Sequence, residues 1–127
     1  MIALDASVLI AHLYPHDAHH AAATQFLSEA ADEALVVHTL TLAEVLVGGV
    51  RVNRGQEMLG DLHAVGVQVA QHSDDQPLRL ANLRATTGLK LPDCCVLDTA
   101  LSNAATLATF DTTLAGAATQ LNVTVFP

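Results

Sequence analysis

The sequence contains few aromatic and few basic side chains. Of its 127 residues, 3% are aromatic and none is tryptophan, and 5 Lys and Arg stand against 13 Asp and Glu, a formal net charge of −8. Proteins that coat nucleic acid along its phosphate backbone carry a basic surface, so this balance excludes broad binding driven by charge. A nucleic-acid enzyme remains compatible with it, because acids that converge on divalent cations create a locally positive site.

Cysteine and long apolar runs are also scarce. The only two cysteines, Cys94 and Cys95, are neighbours. Adjacent cysteines rarely close a disulfide without strain, and two thiols make a poor metal site, so we expect both in the core. No apolar run approaches the ~20 residues of a membrane span. The first residues lack a signal peptide's basic region and long apolar stretch, because Asp5 interrupts them. We therefore expect a cytoplasmic protein without a membrane segment.

Apolar residues are abundant, at 51% of the chain, and they fall into short runs that alternate with helical stretches. A chain of this length suits one domain, residues 1–127, with a core of its own. Alternation of strands and helices predicts an α/β sandwich with a mostly parallel central sheet of four to five strands. The predicted strands are 2–4, 35–37, 67–70, 106–109 and 123–126. The predicted helices are 7–13, 17–29, one that starts at 39 or 41, 56–64, one from 73 or 74 to 87, 92–103 and one that Asp111 caps.

Four acids indicate a functional site, and two of them lie where such a fold commonly carries function, just beyond the carboxyl ends of parallel strands. Asp5 follows the first strand and Asp111 the fourth, while Asp93 begins a helix and Glu44 stands alone in an apolar helical stretch. Each has an ordinary alternative, since acids also cap helices or face solvent. It is the arrangement of all four that indicates a single site.

The segments around these acids resemble those of PIN-domain ribonucleases, and most closely the VapC-type toxins of type II bacterial toxin–antitoxin pairs. The matching segments occur in family order over essentially the full chain: 4–10 (LDASVLI), 42–44 (LAE), 91–100 (LPDCCVLDTA) and 105–111 (ATLATFD). The resemblance implies a PIN-like α/β/α sandwich. It also implies that Asp5, Glu44, Asp93 and Asp111 form an acidic cluster that binds Mg²⁺ or Mn²⁺, ions that prefer hard oxygen ligands.

The same resemblance implies a toxin that acts as a metal-dependent endoribonuclease and hydrolyses RNA phosphodiester bonds with water that the cation activates. Ser7 and Thr109 are expected to support the carboxylates. The implied partners are an RNA substrate, a cognate antitoxin protein and a second copy of the chain in a homodimer.

The chain departs from the family pattern at Asp98, where a small residue is common, and at Ala6, where Thr is frequent. Asp98 follows Asp93 on one predicted helix, and we expect it to border the site and reach the metal only through water. The five basic residues are predicted to be plain surface charges, with Lys90 the best candidate for contacting RNA. The histidines at 12, 16, 19 and 20 are predicted to decorate a helix start, with some contact to substrate or partner, rather than to bind zinc.

Other classes of protein also place an Asp at the end of the first strand. A haloacid-dehalogenase-like phosphatase needs a second Asp two residues on, where this chain has Ser7. A receiver-like domain needs further acids near that strand and a late Lys, and no Lys follows Lys90. Two alternatives stay open: a PIN-fold RNA-processing nuclease, and a non-catalytic binding module without an antitoxin. RNA cleavage that requires both metal and Asp5 discriminates the enzyme from the module.

Overall fold

The computed structural model describes all 127 residues and has a five-stranded parallel sheet with helices on both faces. The strand order is β3-β2-β1-β4-β5, and every neighbouring pair is parallel. The predicted α/β sandwich is therefore confirmed. The strands are β1 (Ile2–Leu4), β2 (Leu35–Val37), β3 (Val67–Val69), β4 (Thr106–Ala108) and β5 (Val125–Phe126). The helices are α1 (Ala6–Leu13), α2 (His20–Glu29), α3 (Thr39–Arg51), α4 (Gly55–Ala64), α5 (Gln76–Thr87), α6 (Leu91–Ser102) and α7 (Thr112–Gln120).

The central strand β1 is buried on both faces, which is why it carries an uninterrupted apolar run. Ile2 and Leu4 point into a core formed mainly with α1, α2, α3 and α4, whereas Ala3 points into a second core formed with α6 and α7. The alternation follows from the two-residue period of a strand. Cys94 and Cys95 are free and buried in α6, as expected. None of the helices has the length and apolar character that crossing a bilayer requires.

The structure corrects the predicted start of α2. The helix begins at His20, not at Asp17, because Asp17 accepts a hydrogen bond from the backbone N–H of His19 at 2.8 Å and so closes a turn ahead of the helix. Ala21 and Ala22 are exposed. The buried positions of α2 are Ala23, Phe26 and Leu27. In the same way α5 starts at Gln76 after Asp75, slightly later than predicted.

Candidate active site

Asp5 occupies the carboxyl end of the central strand and is held by three hydrogen-bond donors. Its side chain is only 7% exposed. One carboxylate oxygen, Oδ1, accepts from the backbone N–H of Ala6 at 2.8 Å and caps α1. The other, Oδ2, accepts from the hydroxyls of Ser7 and Thr109, each at 2.7 Å. Asp5 is therefore both a helix cap and an acid with a fixed orientation.

The two hydroxyls also join β1 to β4. Because Leu4 pairs with Ala108 in the sheet register, the residues that follow these strands lie side by side. Ser7 Oγ accepts from the backbone N–H of Phe110 at 3.0 Å, and Thr109 Oγ1 accepts from that of Asp111 at 2.9 Å. Each hydroxyl thus donates to Asp5 and accepts from the chain beyond β4, so the two segments form one rigid edge.

Asp111 lies at the same edge and caps α7. Its Oδ1 accepts from the backbone N–H groups of Thr113 at 2.9 Å and Leu114 at 3.0 Å. The two hydrogen bonds to this oxygen orient the carboxylate, and Asp111 is nevertheless exposed to solvent. The second oxygen can therefore face a ligand without breaking the cap.

Glu44 on α3 and Asp93 on α6 complete the group, because the charges of the other acids act on the pKa of each. Partial burial raises the pKa of Glu44, and the negative charges of Asp5 and Asp93 raise it further. Partial burial also raises the pKa of Asp93, with added effects from Asp111 and Asp5, while Lys90 opposes them. The structure thus brings all four predicted acids into one electrostatic neighbourhood.

The donor set suits a hydrated divalent cation rather than a closed metal cage. No group of three or more acidic, histidine or cysteine side chains converges closely enough to enclose a metal ion. No hydrogen bond from the chain contributes to the pKa of Glu44 or of Asp93, so both carboxylates are available. Mg²⁺ typically takes one or two carboxylates and keeps several waters. Spaced, mutually repelling carboxylates fit that mode of binding.

Asp98 has a different environment from the four acids. Its side chain is buried, at 3% exposed, and receives Arg79 of α5 through Nε at 2.8 Å and Nη2 at 3.2 Å. Gln76 and Ser102 also donate to it, both at 3.3 Å. Asp98 is not among the charges that raise the pKa of Glu44 or Asp93. The expected link from Asp98 to the metal through water stays a prediction.

Most of the positive charge is committed within the chain. Besides Arg79, which was expected to be a plain surface charge, Arg54 pairs with Glu57 at 3.0 Å. Arg84 donates to the backbone carbonyls of Gly88 and Leu89. Arg51 and Lys90 remain exposed and have no ion-pair or hydrogen-bond partner among the contacts of the chain. Lys90 is near enough to Asp93 to act on its pKa, so it lies beside the acidic group.

One feature of the site edge had no signal in the sequence. Phe110, between Thr109 and Asp111, stacks on His19 with ring centroids 4.3 Å apart and ring planes 8° from parallel. The two residues are far apart in the chain and belong to loops, so no periodicity connects them. Only the tertiary structure reveals this pair.

These features define an α/β protein with an acidic site at the carboxyl edge of a parallel sheet. Residues 2–119 match the family model of the PIN domain. The chain therefore belongs to the PIN-domain family.

Solved structures similar to the chain agree with this assignment. A chain of a toxin–antitoxin complex from Klebsiella pneumoniae is 29% identical, with a TM-score of 0.72, and the match covers 87% of this chain and 86% of that one. A chain of VapBC2 from Rickettsia felis, bound to a promoter DNA fragment, is 17% identical over 99% of this chain and 98% of that one, with a TM-score of 0.77. A chain of FitAcB from Neisseria gonorrhoeae is 21% identical, with a TM-score of 0.71, and the match covers 100% of this chain and 97% of that one. Among curated proteins, none matches the chain.

Proposed function

We propose that this chain is the toxin of a toxin–antitoxin pair and a Mg²⁺- or Mn²⁺-dependent endoribonuclease that hydrolyses RNA phosphodiester bonds. It would act in the cytoplasm as one nuclease domain over residues 1–127. The observation that carries the proposal is that, in a PIN-domain chain, Thr109 links Asp5 to the backbone of Asp111, and Glu44 and Asp93 lie within electrostatic reach of these acids. Similarity to a chain of a toxin–antitoxin complex supports the toxin role.

The four acids would surround a hydrated metal ion and bind it in part through its waters, with Asp5 as the most firmly oriented of them. A bound divalent cation supplies activation of water and neutralisation of charge on the scissile phosphate. The hydroxyls of Ser7 and Thr109 keep Asp5 in one orientation before any ligand arrives, which removes a cost of ordering at the moment of binding. Glu44 and Asp93 repel their neighbours and therefore gain most from a cation.

The acidic group also suits a protein partner with a basic side chain. An Arg or Lys of an antitoxin could enter among the carboxylates, where ion pairs with hydrogen bonds are strong. Apolar side chains on and after α3 are exposed and available to be covered by an antitoxin or by a second copy of the chain. Leu40 is 41% exposed, Val47 44%, Val50 63% and Val52 63%.

The nuclease proposal is tested by incubating the purified chain with single-stranded and structured RNA, with Mg²⁺, Mn²⁺ or EDTA. Sequencing the new 5′ ends then maps the cuts. We expect cleavage only with a divalent ion, and none by Asp93→Asn at any metal concentration. Cleavage in EDTA, or full cleavage by Asp93→Asn, would contradict the proposal. Binding of RNA without cutting would favour the non-catalytic module.

The toxin proposal is tested by expressing the chain alone and together with the protein encoded by its neighbouring gene. We expect growth arrest or poor solubility alone, and a stable complex without nuclease activity on co-expression. Size-exclusion chromatography with light scattering should give a dimer of the chain. A soluble, harmless monomer that ignores the neighbouring product would argue against the antitoxin and the dimer together.

A further inference from the structure

The His19–Phe110 pair forms a flat aromatic surface beside the acidic group. Its rings are nearly parallel, at 8°, and 4.3 Å apart. Phe110 is half-buried and also packs against the hydrophobic core, whereas His19 is exposed. Phe110 directly precedes Asp111 and its backbone N–H donates to Ser7 Oγ, so the pair is attached to the edge that carries the acids, with the His19 ring on its exposed side.

Both halves of this surface have fixed backbones. The Asp17 carboxylate accepts from the backbone N–H of His19 at 2.8 Å, and Ser7 Oγ accepts from that of Phe110 at 3.0 Å. Ser7 also donates to Asp5. The aromatic surface is therefore tied to the same hydroxyl that orients the central acid of the site, and its position relative to the acids is set in advance.

The charge of the molecule leaves RNA binding with little electrostatic help. The net charge is −8, and three of the five basic side chains are committed to partners inside the chain. Proteins that bind single-stranded nucleic acid combine positive grooves with aromatic rings on which bases stack. Because this chain has few free basic side chains, it must bind RNA mainly through aromatic stacking and through the metal ion that we propose.

We infer that His19, backed by Phe110, is the platform on which one nucleobase of the RNA stacks next to the scissile phosphate. The inference rests on the proposed nuclease function and adds a substrate-binding residue to it. Stacking is tolerant of base identity, because every base has a flat π face. The platform would therefore position the RNA strand over the acids. It would also require an unpaired nucleotide there, because a base inside a double helix is not free to stack on a protein ring.

The test compares His19→Ala, His19→Leu and His19→Phe with wild type on a single-stranded RNA of known cleavage site. His63→Ala is the matched control, because His63 is exposed on α4 and is not part of the stack. We expect KM to rise roughly tenfold in the Ala and Leu variants, within the range of base–aromatic stacking effects. The value of kcat should stay near wild type, and the Phe variant and the control should keep the wild-type KM.

A second arm replaces each nucleotide around the cut with an abasic one. At one position, the abasic substitution should raise the KM of wild type about as much as His19→Ala does. With that substrate, wild type and His19→Ala should have equal KM values. A 2-aminopurine at that position should lose fluorescence on binding wild type but not His19→Ala.

Several results would overturn the platform. They are an unchanged KM in His19→Ala, equal behaviour of the Leu and Phe variants, or a His19→Ala effect that persists on every abasic substrate. In each of these the wild type still cuts RNA, so the proposed nuclease function stands. RNA that the wild type neither cuts nor binds would overturn both.

Discussion

Asp5 and Glu44 are two acids of one site that the chain holds in opposite ways. Asp5 is buried and accepts hydrogen bonds from Ala6, Ser7 and Thr109. Those donors compensate the cost of burying a charge. Glu44 is exposed on α3. Partial loss of solvation raises its pKa, and the charges of Asp5 and Asp93 raise it further. Substitution at Asp5 therefore mixes a structural and a chemical effect, whereas substitution at Glu44 isolates the chemical one.

We expect Glu44→Gln to lower metal-dependent RNA cleavage by more than about a hundredfold, since even outer-shell partners of a metal contribute up to that factor. The metal-free variant should melt at a higher temperature than wild type, because one repelling charge is gone. It should also gain less from added Mg²⁺. Asp32→Asn is the control in the cleavage and melting assays and should change neither, because Asp32 is exposed and lies before β2, at the opposite edge of the sheet. A Glu44→Gln variant that melts below wild type in EDTA would argue that the acids do not repel.

The stability gain of Glu44→Gln should depend on pH with a definite sign. The pKa of Glu44 is above its ordinary value of 4.5 in the folded chain, so the folded chain holds this proton more tightly than the unfolded chain. Ionised Glu44 thus destabilises the fold, and the destabilisation is absent below 4.5 and complete only above the raised pKa. In EDTA, the difference in melting temperature between the variant and wild type should be near zero at pH 4 and grow towards neutral pH. A difference that is constant with pH would refute this.

Between elements, the ion pair of Asp98 with Arg79 joins α6, which carries Asp93, to α5. The side chain of Asp98 is 3% exposed and that of Arg79 is 31% exposed. Arg79 also contacts Asp75 at 2.6 Å, but Asp75 is 66% exposed. The two carboxylates raise the pKa of Arg79, with Asp98 the larger cause. An exposed pair contributes little, whereas replacing buried Asp98 breaks its hydrogen bonds with Arg79. Of the two partners of Arg79, Asp98 therefore contributes to the stability of the fold and Asp75 contributes little.

Asp98→Asn should lower the melting temperature clearly, and Asp75→Asn should hardly change it. Cleavage by the Asp98 variant should recover at saturating Mn²⁺, with apparent metal affinity reduced by at most about tenfold, the lower end of indirect effects on a metal. Asp93→Asn should not recover. Thermal melts in EDTA and Mn²⁺ titrations of RNA cleavage measure the two effects separately. An Asp98 variant that is inactive at saturating Mn²⁺ would identify Asp98 as a direct ligand instead.

The whole molecule is acidic, and its uncommitted cations are Arg51 and Lys90. Each phosphate contact made by a cation adds about −0.7 to the slope of log affinity against log salt for a single strand. RNA binding here cannot depend on many such contacts. It must rely on uncharged contacts and on the metal ion that we propose.

We therefore expect a slope no steeper than about −1.4 for single-stranded RNA, which corresponds to two contacts. Fluorescence anisotropy at fixed Mg²⁺ with varied KCl, using Glu44→Gln to prevent cutting, would measure it. Lys90→Gln should reduce the slope by about one contact, and Arg54→Gln, whose cation is already paired with Glu57, should not. A slope several times steeper would mean that a basic surface forms on assembly.

Short-range signals explain how much of the fold could be predicted. Every strand and helix was anticipated, because an apolar run, a Pro or Gly and a capping acid all act within a turn or two of the chain. Gly66 and Gly88 have positive φ values of 90° and 72° and end their helices as expected. The errors lie at helix starts, where a polar residue can either cap the helix or close a turn before it. Asp17 closes a turn, so α2 begins later than predicted.

The sequence by itself determined that Asp5 and Asp111 lie at the same edge of the sheet, because parallel strands bring their carboxyl ends to one edge. Three things depended on the tertiary structure: the ion pair of Asp98 with Arg79, the stack of His19 on Phe110, and the electrostatic contact of Glu44 with Asp93. Each joins elements distant in the chain. Such contacts are set by how helices and loops pack across the sheet, and no local pattern of residues encodes that distance or angle.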